Sequence, residues 1–317
     1  MSAPLIDPAV LHALRGTHEP LRVSAAEVAR LITSGCEIIE SPKDHFTLQR
    51  TALSVWSDYL AWRCPLEKHQ RIIEVYRKTS STQDVIRRLI EAHGGDADGA
   101  LAITNEQTAG RGRLGRTWHA PAGWSVLVSR AVVRKSEKES SRSSDHFALV
   151  AAVAVARALQ SLIAPSSMLR IKWPNDILID GRKIAGILVE AMPSARASII
   201  GIGINILHDP ALIPQEVRHR MGSLDMHGYT GDRLRVLSDV VRELDQCLAS
   251  GADIASMLRT WRAMNLFSSD EVITFEQDGN RIRGTVLDLD AREGLIVRTQ
   301  DGQIIHLPAA TTSVIIE

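Results

Sequence analysis

The stretch TAGRGRLGRTW, Thr108 to Trp118, interleaves three glycines with three arginines. Gly110, Gly112 and Gly115 have the spacing of the dinucleotide-binding fingerprint. That fingerprint needs a helix beginning within the motif and an acidic residue about 20 positions later. The chain instead continues RTWHAPAGWS, whose proline and glycine oppose a helix. We therefore predict no dinucleotide site, and without a final Gly-Lys-Ser or Gly-Lys-Thr the stretch is not a Walker loop either.

The same stretch presents Arg111, Arg113 and Arg116 on a backbone that can approach a ligand closely. Guanidinium groups suit carboxylates and phosphates because their planar donors match both anions. The stretch predicts a loop that folds over an anion. Taken alone, it is also compatible with a solvated basic turn.

A second motif, IKWPNDILIDGRKIAGILVE, places polar side chains at the start of a predicted hairpin. Asn175 can bind a base or a phosphate, and Asp176 can accept from a ribose or help to place magnesium. Lys183 begins the second strand opposite this region, where its ammonium group could reach the same ligand. Gly186, and the glycines of GIGIN at 201–205, leave space close to the backbone.

The composition is that of an ordinary globular protein. Of 317 residues, 44% are hydrophobic and 23% are charged, with 37 basic residues balancing 37 acidic ones. The zero formal net charge gives no overall indication of a nucleic-acid or membrane partner. Three widely spaced cysteines without a CxxC pair predict neither disulfides nor zinc, and we expect a cytoplasmic location. The most apolar stretch, Phe147 to Ala164, contains Arg157 and predicts a buried helix, not a membrane span.

Three segments are predicted, 1–52, 53–268 and 269–317, and the expected fold class is α+β. The first has room for two helices, Pro8–Leu14 and Ser24–Thr33, before two short strands. A winged helix needs three helices before its wing, so we predict a short, degenerate winged-helix-like segment. Its acidic residues dilute the basic ones, which makes DNA an unexpected partner. The third segment consists of short β-rich runs and predicts a small five-stranded barrel.

Five motifs follow one another along the chain: SSTQD, EQTAGRGRLGRTW, KWPNDILI, GRKIAGILVE and GIGIN. With the β-rich segment after them, they resemble the biotin protein ligase family from about Ile72 to the C-terminus. The resemblance implies a central mixed-sheet catalytic domain of the biotin/lipoate ligase type and a small SH3-like C-terminal β-barrel. In bifunctional members of the family, an N-terminal winged helix binds an operator.

The family activates biotin with ATP to biotinyl-5′-adenylate, and then transfers biotin to one lysine of a carboxylase carrier domain. The resemblance thus implies biotin as substrate, ATP and Mg2+ as cofactors, and a biotin carboxyl carrier protein as partner. Family members often pair through the central sheet, so a homodimer is also expected.

The resemblance assigns site residues to three roles. Those expected to act catalytically are Arg111, Arg113 and Lys183. Those expected to contact biotin are Ser81, Thr82, Gln83, Gln107, Gly110, Arg111, Arg113, Lys183, Gly186 and Gly203, the glycines by letting backbone lie against the rings. Those expected to contact ATP are Arg113, Arg116, Trp118, Lys172, Asn175, Asp176, Lys183 and Asn205, with Asp176 also assigned to the metal.

Two departures from the family pattern leave alternatives open. Gln83 stands where the family often has asparagine, so its ligand contact is expected to be retained in altered form. The short N-terminal segment favours a relic or a docking element over an operator-binding domain. The alternative functions are a lipoate or octanoate ligase of the same superfamily, and a repressor that uses the adenylate as corepressor.

Overall fold

The structure, a computed structural model, describes residue 11 and residues 21–41, 45–66, 70–134, 143–249 and 253–315. The predicted helix Pro8–Leu14 lies outside these residues apart from Leu11. Three β-sheets organise the described chain, one in each of the three predicted segments.

The first segment forms a small antiparallel sheet next to one helix. Its elements are β1 (Leu21–Arg22), α1 (Ala25–Thr33), β2 (Glu37–Ser41) and β3 (His45–Arg50), with strand order β1-β3-β2. Ser24 caps α1, as predicted, and exchanges side-chain and backbone hydrogen bonds with Glu27 in a capping box. The predicted helix and the two strands after it are therefore present.

This segment packs directly on the central segment, 53–268. The hydroxyl of Thr51 donates to Asp232 Oδ2 at 2.7 Å and accepts from the indole N–H of Trp56 at 3.1 Å. Trp56 begins α2 (Trp56–Arg63) and is almost fully buried. Its ring also lies 5.3 Å from the guanidinium of Arg233. Buried Leu31 of α1 belongs to the same hydrophobic core as the central sheet, so the segment is part of one packed unit.

A seven-stranded mixed sheet forms the centre of the molecule. In chain order its strands are β4 (Ile73–Tyr76), β5 (Leu101–Thr104), β6 (Ser125–Val133), β7 (Leu169–Lys172), β8 (Asp176–Ile179), β9 (Arg182–Met192) and β10 (Ala197–Asn205). Their order across the sheet is β4-β5-β6-β10-β9-β8-β7, with β4 and β5 parallel and the other pairs antiparallel. This arrangement confirms the predicted α+β class with a central mixed sheet.

Helices cover the central sheet on both faces. They are α3 (Thr82–His93), α4 (Ser144–Gln160), α5 (Gln215–Arg218), α6 (Arg233–Leu248) and α7 (Ile254–Met264). Leu101 and Ile103 belong to the larger core with α4 and α6, whereas Ala102 between them belongs to the smaller core with α3. The alternation follows from the two-residue period of a strand, and it places α3 and α4 on opposite faces.

The apolar helix α4 is buried, as its composition predicted. Every residue from Phe147 to Ala156 is buried in the core. Among the described helices, none is both long and apolar enough to cross a membrane.

The hairpin predicted around Asp180-Gly181 is also present. Both residues have positive φ, 49° and 78°, and they connect β8 to β9. This is the backbone shape of a tight two-residue hairpin turn, in which a short polar residue and a glycine are favoured.

The third segment contains five antiparallel strands: β11 (Val272–Gln277), β12 (Asn280–Asp290), β13 (Gly294–Thr299), β14 (Ile304–Leu307) and β15 (Thr312–Ile315). Their order is β14-β13-β12-β11-β15. The five predicted strands are therefore confirmed. Between the described residues no pairing joins β14 to β15, so the closed SH3-like barrel stays a prediction.

Candidate active site

A cavity of about 530 Å3 lies on one face of the central sheet. Its walls come from the glycine-rich loop, from residues 217–221, and from the C-terminal strands β11 and β15. All site residues predicted from the sequence line this cavity, apart from Gly110. A side chain at Gly110 would place its Cβ 2.6 Å from the carbonyl oxygen of Trp118, so this glycine permits the close pairing within the loop.

One end of the cavity is built from neutral polar groups. The backbone N–H and hydroxyl of Thr82 both donate to Gln107 Oε1, at 2.9 and 3.2 Å. The Thr82 hydroxyl also lies 2.7 Å from the hydroxyl of Ser129, and Ser81 caps α3 through the N–H of Gln83. Because its oxygen is held twice, the Gln107 side chain has a fixed orientation, and this end of the cavity can recognise a neutral polar ring.

Gln83 leaves an acceptor at this end without a protein partner. The residue is 3% exposed, and its amide nitrogen donates to the carbonyl of Leu188 at 3.1 Å. Its Oε1 is buried and makes no hydrogen bond. A Cβ at Gly201 would come within 2.6 Å of the Gln83 nitrogen, so Gly201 provides the space for this longer side chain. A buried acceptor without a donor costs about 1–3 kcal/mol, so the arrangement suits a ligand N–H.

The structure gives Arg111 two acidic partners. Its guanidinium lies 2.8 Å from Asp84 Oδ1 and 3.3 Å from Glu190 Oε1. The hydrogen bond to Asp84 raises the pKa of Arg111. Arg87 pairs with the same Glu190 at 2.7 Å, which extends the network along α3. Arg111 lines the cavity as predicted, but its charge is already engaged by carboxylates.

Arg113 makes a different set of contacts. Nη1 donates to Asn175 Oδ1 at 3.3 Å, and Nη2 donates to the backbone carbonyls of Thr312, at 2.7 Å, and Ala309. Burial lowers the pKa of Arg113. Neutral oxygens thus fix the guanidinium in place and leave its positive charge available to an anion.

The other end of the cavity has an excess of positive charge. Lys183 Nζ forms an ion pair with Asp176 Oδ1 at 2.6 Å. Burial lowers the pKa of Lys172, and the neighbouring Lys183 acts in the same direction. The cations that line the cavity around Asp176 are Arg113, Arg116, Lys172, Lys183 and Arg220. A concentration of cations in a cleft attracts a polyanion strongly because the cleft focuses their field.

Trp118 lines the cavity and changes the interpretation of two glycines. The sequence predicted that Gly186 and Gly203 make room for ligand rings. A Cβ at Gly203 would lie 2.5 Å from the indole of Trp118, and one at Gly186 would lie 2.6 Å from it. The space that these glycines leave is therefore filled by Trp118. Lys183 Nζ lies 5.3 Å from the centre of the ring, within reach of a cation–π interaction.

Sequence analysis missed several wall residues that lie far from the five motifs. The backbone of Arg220 is held by Lys183, whose N–H donates to its carbonyl at 2.8 Å. Asn205 holds the same loop, since its side-chain nitrogen donates to the Gly222 carbonyl at 3.0 Å. Glu276 and Ser313 are opposite each other on β11 and β15 and close the cavity from the C-terminal segment. The basic run RHR at 218–220 was the one available sequence signal for this wall.

The donor set around Asp176 fits a magnesium ion held mainly by a substrate. Among the described residues, no group of three or more His, Cys, Asp or Glu side chains could hold a metal ion. Magnesium commonly binds through one or two carboxylates together with water and substrate phosphates. Asp176 can supply one such carboxylate.

Comparison with known proteins gives the family. A model described as the biotin/lipoate A/B protein ligase family matches residues 75–206. A biotin–acetyl-CoA-carboxylase ligase of Mycobacterium tuberculosis is 31% identical over 248 residues, which cover 75% of this chain and 90% of that protein. This chain belongs to the biotin protein ligase family.

Two further matches agree with this membership. The bifunctional ligase/repressor BirA of Bacillus subtilis is 36% identical over 169 residues, about half of each protein, at 51% and 49%. A solved biotin protein ligase of Aquifex aeolicus, in complex with biotin and ATP, is 24% identical with a TM-score of 0.65. That match covers 78% of this chain and 99% of the Aquifex chain, and it confirms the biotin protein ligase fold.

Proposed function

We propose that this biotin ligase works in two steps. Biotin and ATP first give biotinyl-5′-adenylate and pyrophosphate, and the biotinyl group is then transferred to one lysine of a carboxylase carrier domain. The observation that carries the proposal is the division of one cavity into a neutral polar end and a cationic end. The biotin ureido ring and the nucleotide phosphates need these two environments.

The cationic end answers the main difficulty of the first step. The biotin carboxylate must approach the α-phosphate of a polyanion, and two like charges 4 Å apart repel by about 4 kcal/mol at an effective dielectric constant of about 20. Arg113 is held by neutral oxygens, so its charge can offset this repulsion. Lys183 can approach the same oxygens as a point charge by leaving its ion pair with Asp176.

The neutral end suits the ureido ring of biotin. Ser81, Thr82 and Gln107 form a connected hydrogen-bonded group at this end. The unpaired Oε1 of Gln83 is an acceptor for a ureido N–H. The ligand would satisfy that oxygen and thereby gain affinity.

ATP binding is assigned to the cationic end of the cavity and the residues next to it. The residues concerned are Arg113, Arg116, Trp118, Lys172, Asn175, Asp176, Lys183 and Asn205. Mg2+, with Asp176 as its protein ligand, would shield the charge of the departing pyrophosphate. Arg111 belongs to the loop anchor in this scheme, because its charge is engaged by Asp84 and Glu190.

The proposal extends to the organisation of the chain. Segments 1–52, 53–268 and 269–317 are assigned as a docking segment, a catalytic domain and a C-terminal domain. The contacts of Thr51 with Trp56 and Asp232 of the catalytic domain support the docking assignment over an operator-binding one. A cytoplasmic location and a homodimer complete the proposal.

Transfer of biotin to a carrier domain tests the complete reaction. The purified protein is incubated with biotin, Mg-ATP and a carboxylase carrier domain, and biotinylation is read with labelled streptavidin. We expect labelling that requires ATP and disappears when the acceptor lysine of the carrier is replaced by arginine. Attachment of lipoate or octanoate but not of biotin to the carrier domain, detected by mass spectrometry, would support the lipoate-type alternative instead.

A further inference from the structure

A single residue of the C-terminal segment, Ala309, connects the glycine-rich loop to α4. The carbonyl of Ala309 accepts from Arg113 Nη2, and the N–H of the same residue donates to Asp145 Oδ1 at 2.5 Å. Ala309 is 6% exposed, and both hydrogen bonds are partly buried. Asp145 lies in the first turn of α4 and therefore belongs to the catalytic domain, residues 53–268.

The second carbonyl that binds Arg113 belongs to the same turn. Thr312 is fully buried, and its N–H donates to the carbonyl of Pro308 at 3.2 Å. Residues 308–312 therefore form a fixed turn that presents two carbonyls to one guanidinium nitrogen. Asp145 accepts from the N–H of Ala309 at the start of this turn, and it thereby holds the residue whose carbonyl faces Arg113.

The start of α4 contacts the C-terminal segment a second time. The hydroxyl of Ser143, which caps α4 through the N–H of His146, also donates to the carbonyl of Arg292 at 3.1 Å. This contact does not involve Arg113. The C-terminal segment is thus attached near Asp145 by a bond that is independent of the loop.

We propose that Asp145 is a positioning residue for Arg113 and acts through Ala309 and the turn of residues 308–312. The Ala309 N–H belongs to the same peptide unit as the Pro308 carbonyl, and that carbonyl accepts from the Thr312 N–H. A carboxylate on this N–H makes the Pro308 carbonyl a better acceptor, so Asp145 strengthens the hydrogen bond that closes the turn and holds both carbonyls against Arg113. Arg113 is then aimed by neutral carbonyls and keeps its charge for the substrate. The proposal rests on the adenylation function proposed above and adds a residue that none of the five motifs contains.

A purely structural role for Asp145 makes different predictions. An acidic residue in the first turn stabilises a helix through its dipole, and loss of a domain contact would loosen the molecule in general. Asp288 offers the matched control, because it binds Arg262 of α7 through two hydrogen bonds of 2.8 Å. This pair joins the same two parts of the chain but does not contact Arg113.

The test compares Asp145→Ala, Asp145→Asn and Asp288→Ala in the full chain. With saturating biotin and ATP, we expect Asp145→Ala to slow adenylate formation by about tenfold. Asp145→Asn, which keeps an acceptor oxygen, should recover most of the rate, and Asp288→Ala should remain within about twofold of the wild type. In an Arg113→Ala background, Asp145→Ala should have no further effect, because the residue that it positions is gone.

A second readout does not depend on activity. Tryptic cleavage after Arg113 should be faster in Asp145→Ala than in the wild type or in Asp288→Ala. Unchanged cleavage and rate in Asp145→Ala would overturn the inference, as would equal losses in the Asp145 and Asp288 variants or an additive effect with Arg113→Ala. A wild type that makes no adenylate while Asp145→Ala still exposes Arg113 to trypsin would refute the proposed function but not the positioning.

Discussion

Trp118 lies against Gly203 so closely that a single methyl group at position 203 would come within 2.5 Å of its indole ring. Gly186 faces the same ring on the adjacent strand β9, in register with Gly203. The two glycines and the tryptophan therefore form one packing unit in the lining of the cavity.

Replacing Gly203 by alanine should displace this tryptophan. We expect Gly203→Ala to lower the free energy of unfolding by about 1–3 kcal/mol, because the tight packing leaves no space for the methyl group. It should also weaken ligand binding in the same cavity. Thermal unfolding and equilibrium binding of biotin measure the two effects. Gly95→Ala is the control, since a Cβ at Gly95 meets no atom within 4 Å; equal effects of the two variants would contradict this packing.

Gln83 should contribute specifically to binding the ureido ring. Gln83→Met keeps a similar volume but removes the buried Oε1 acceptor. We expect the dissociation constant for biotin to rise about tenfold while that for ATP stays unchanged. Isothermal titration calorimetry with each ligand separates the two. A variant that binds biotin as tightly as the wild type would show that this oxygen makes no ligand contact.

The two arginines of the loop should respond differently to lysine. Arg113→Lys loses the planar fork that reaches Asn175 and two carbonyls, and the rate of adenylate formation should fall by about 100-fold. Arg111→Lys keeps a charge beside Asp84 and Glu190, so the rate should fall by less than about fivefold. Single-turnover kinetics with labelled ATP gives both rates. A larger loss of rate in Arg111→Lys than in Arg113→Lys would support the catalytic role that the resemblance implied for Arg111.

The cysteines should be inert in the folded protein. Cys36, Cys64 and Cys247 are all buried. Burial raises the pKa of the Cys64 thiol to about 12, so at pH 8 only about one molecule in ten thousand carries the reactive thiolate there. We expect an aromatic disulfide reagent to detect no thiol in native protein at pH 8 and three after denaturation. Rapid reaction of a native thiol, with loss of adenylation, would contradict this account.

The residues that the sequence predicted for the site line one cavity, apart from Gly110, because their motifs lie on neighbouring strands. KWPNDILI ends in β8 and GRKIAGILVE lies largely in β9, and these are the two strands of one hairpin. GIGIN is the end of β10, which pairs with β9 in the sheet. The strand pairing brings these motifs together, and the glycine-rich loop folds over them. Short-range patterns are sufficient for this part because few residues separate the hairpin strands.

Other features depend on contacts that no local pattern reveals. The partners of Arg111 are Asp84 and Glu190, which lie 27 and 79 positions away, so its engaged charge could not be deduced from the loop. Arg113 reaches carbonyls 196 and 199 positions away, and backbone carbonyls carry no signal of residue type. The glycines at 186 and 203 indicated that another group lies close to their backbone, but they did not reveal that this group is Trp118.

The most direct test of the central claim is the release of pyrophosphate by the purified protein with Mg-ATP, with biotin, lipoate or octanoate added separately. The account predicts release that depends on biotin and is lost in Arg113→Ala. Release that is independent of biotin, or supported only by lipoate or octanoate, would contradict the assignment of the neutral and cationic ends to biotin and ATP.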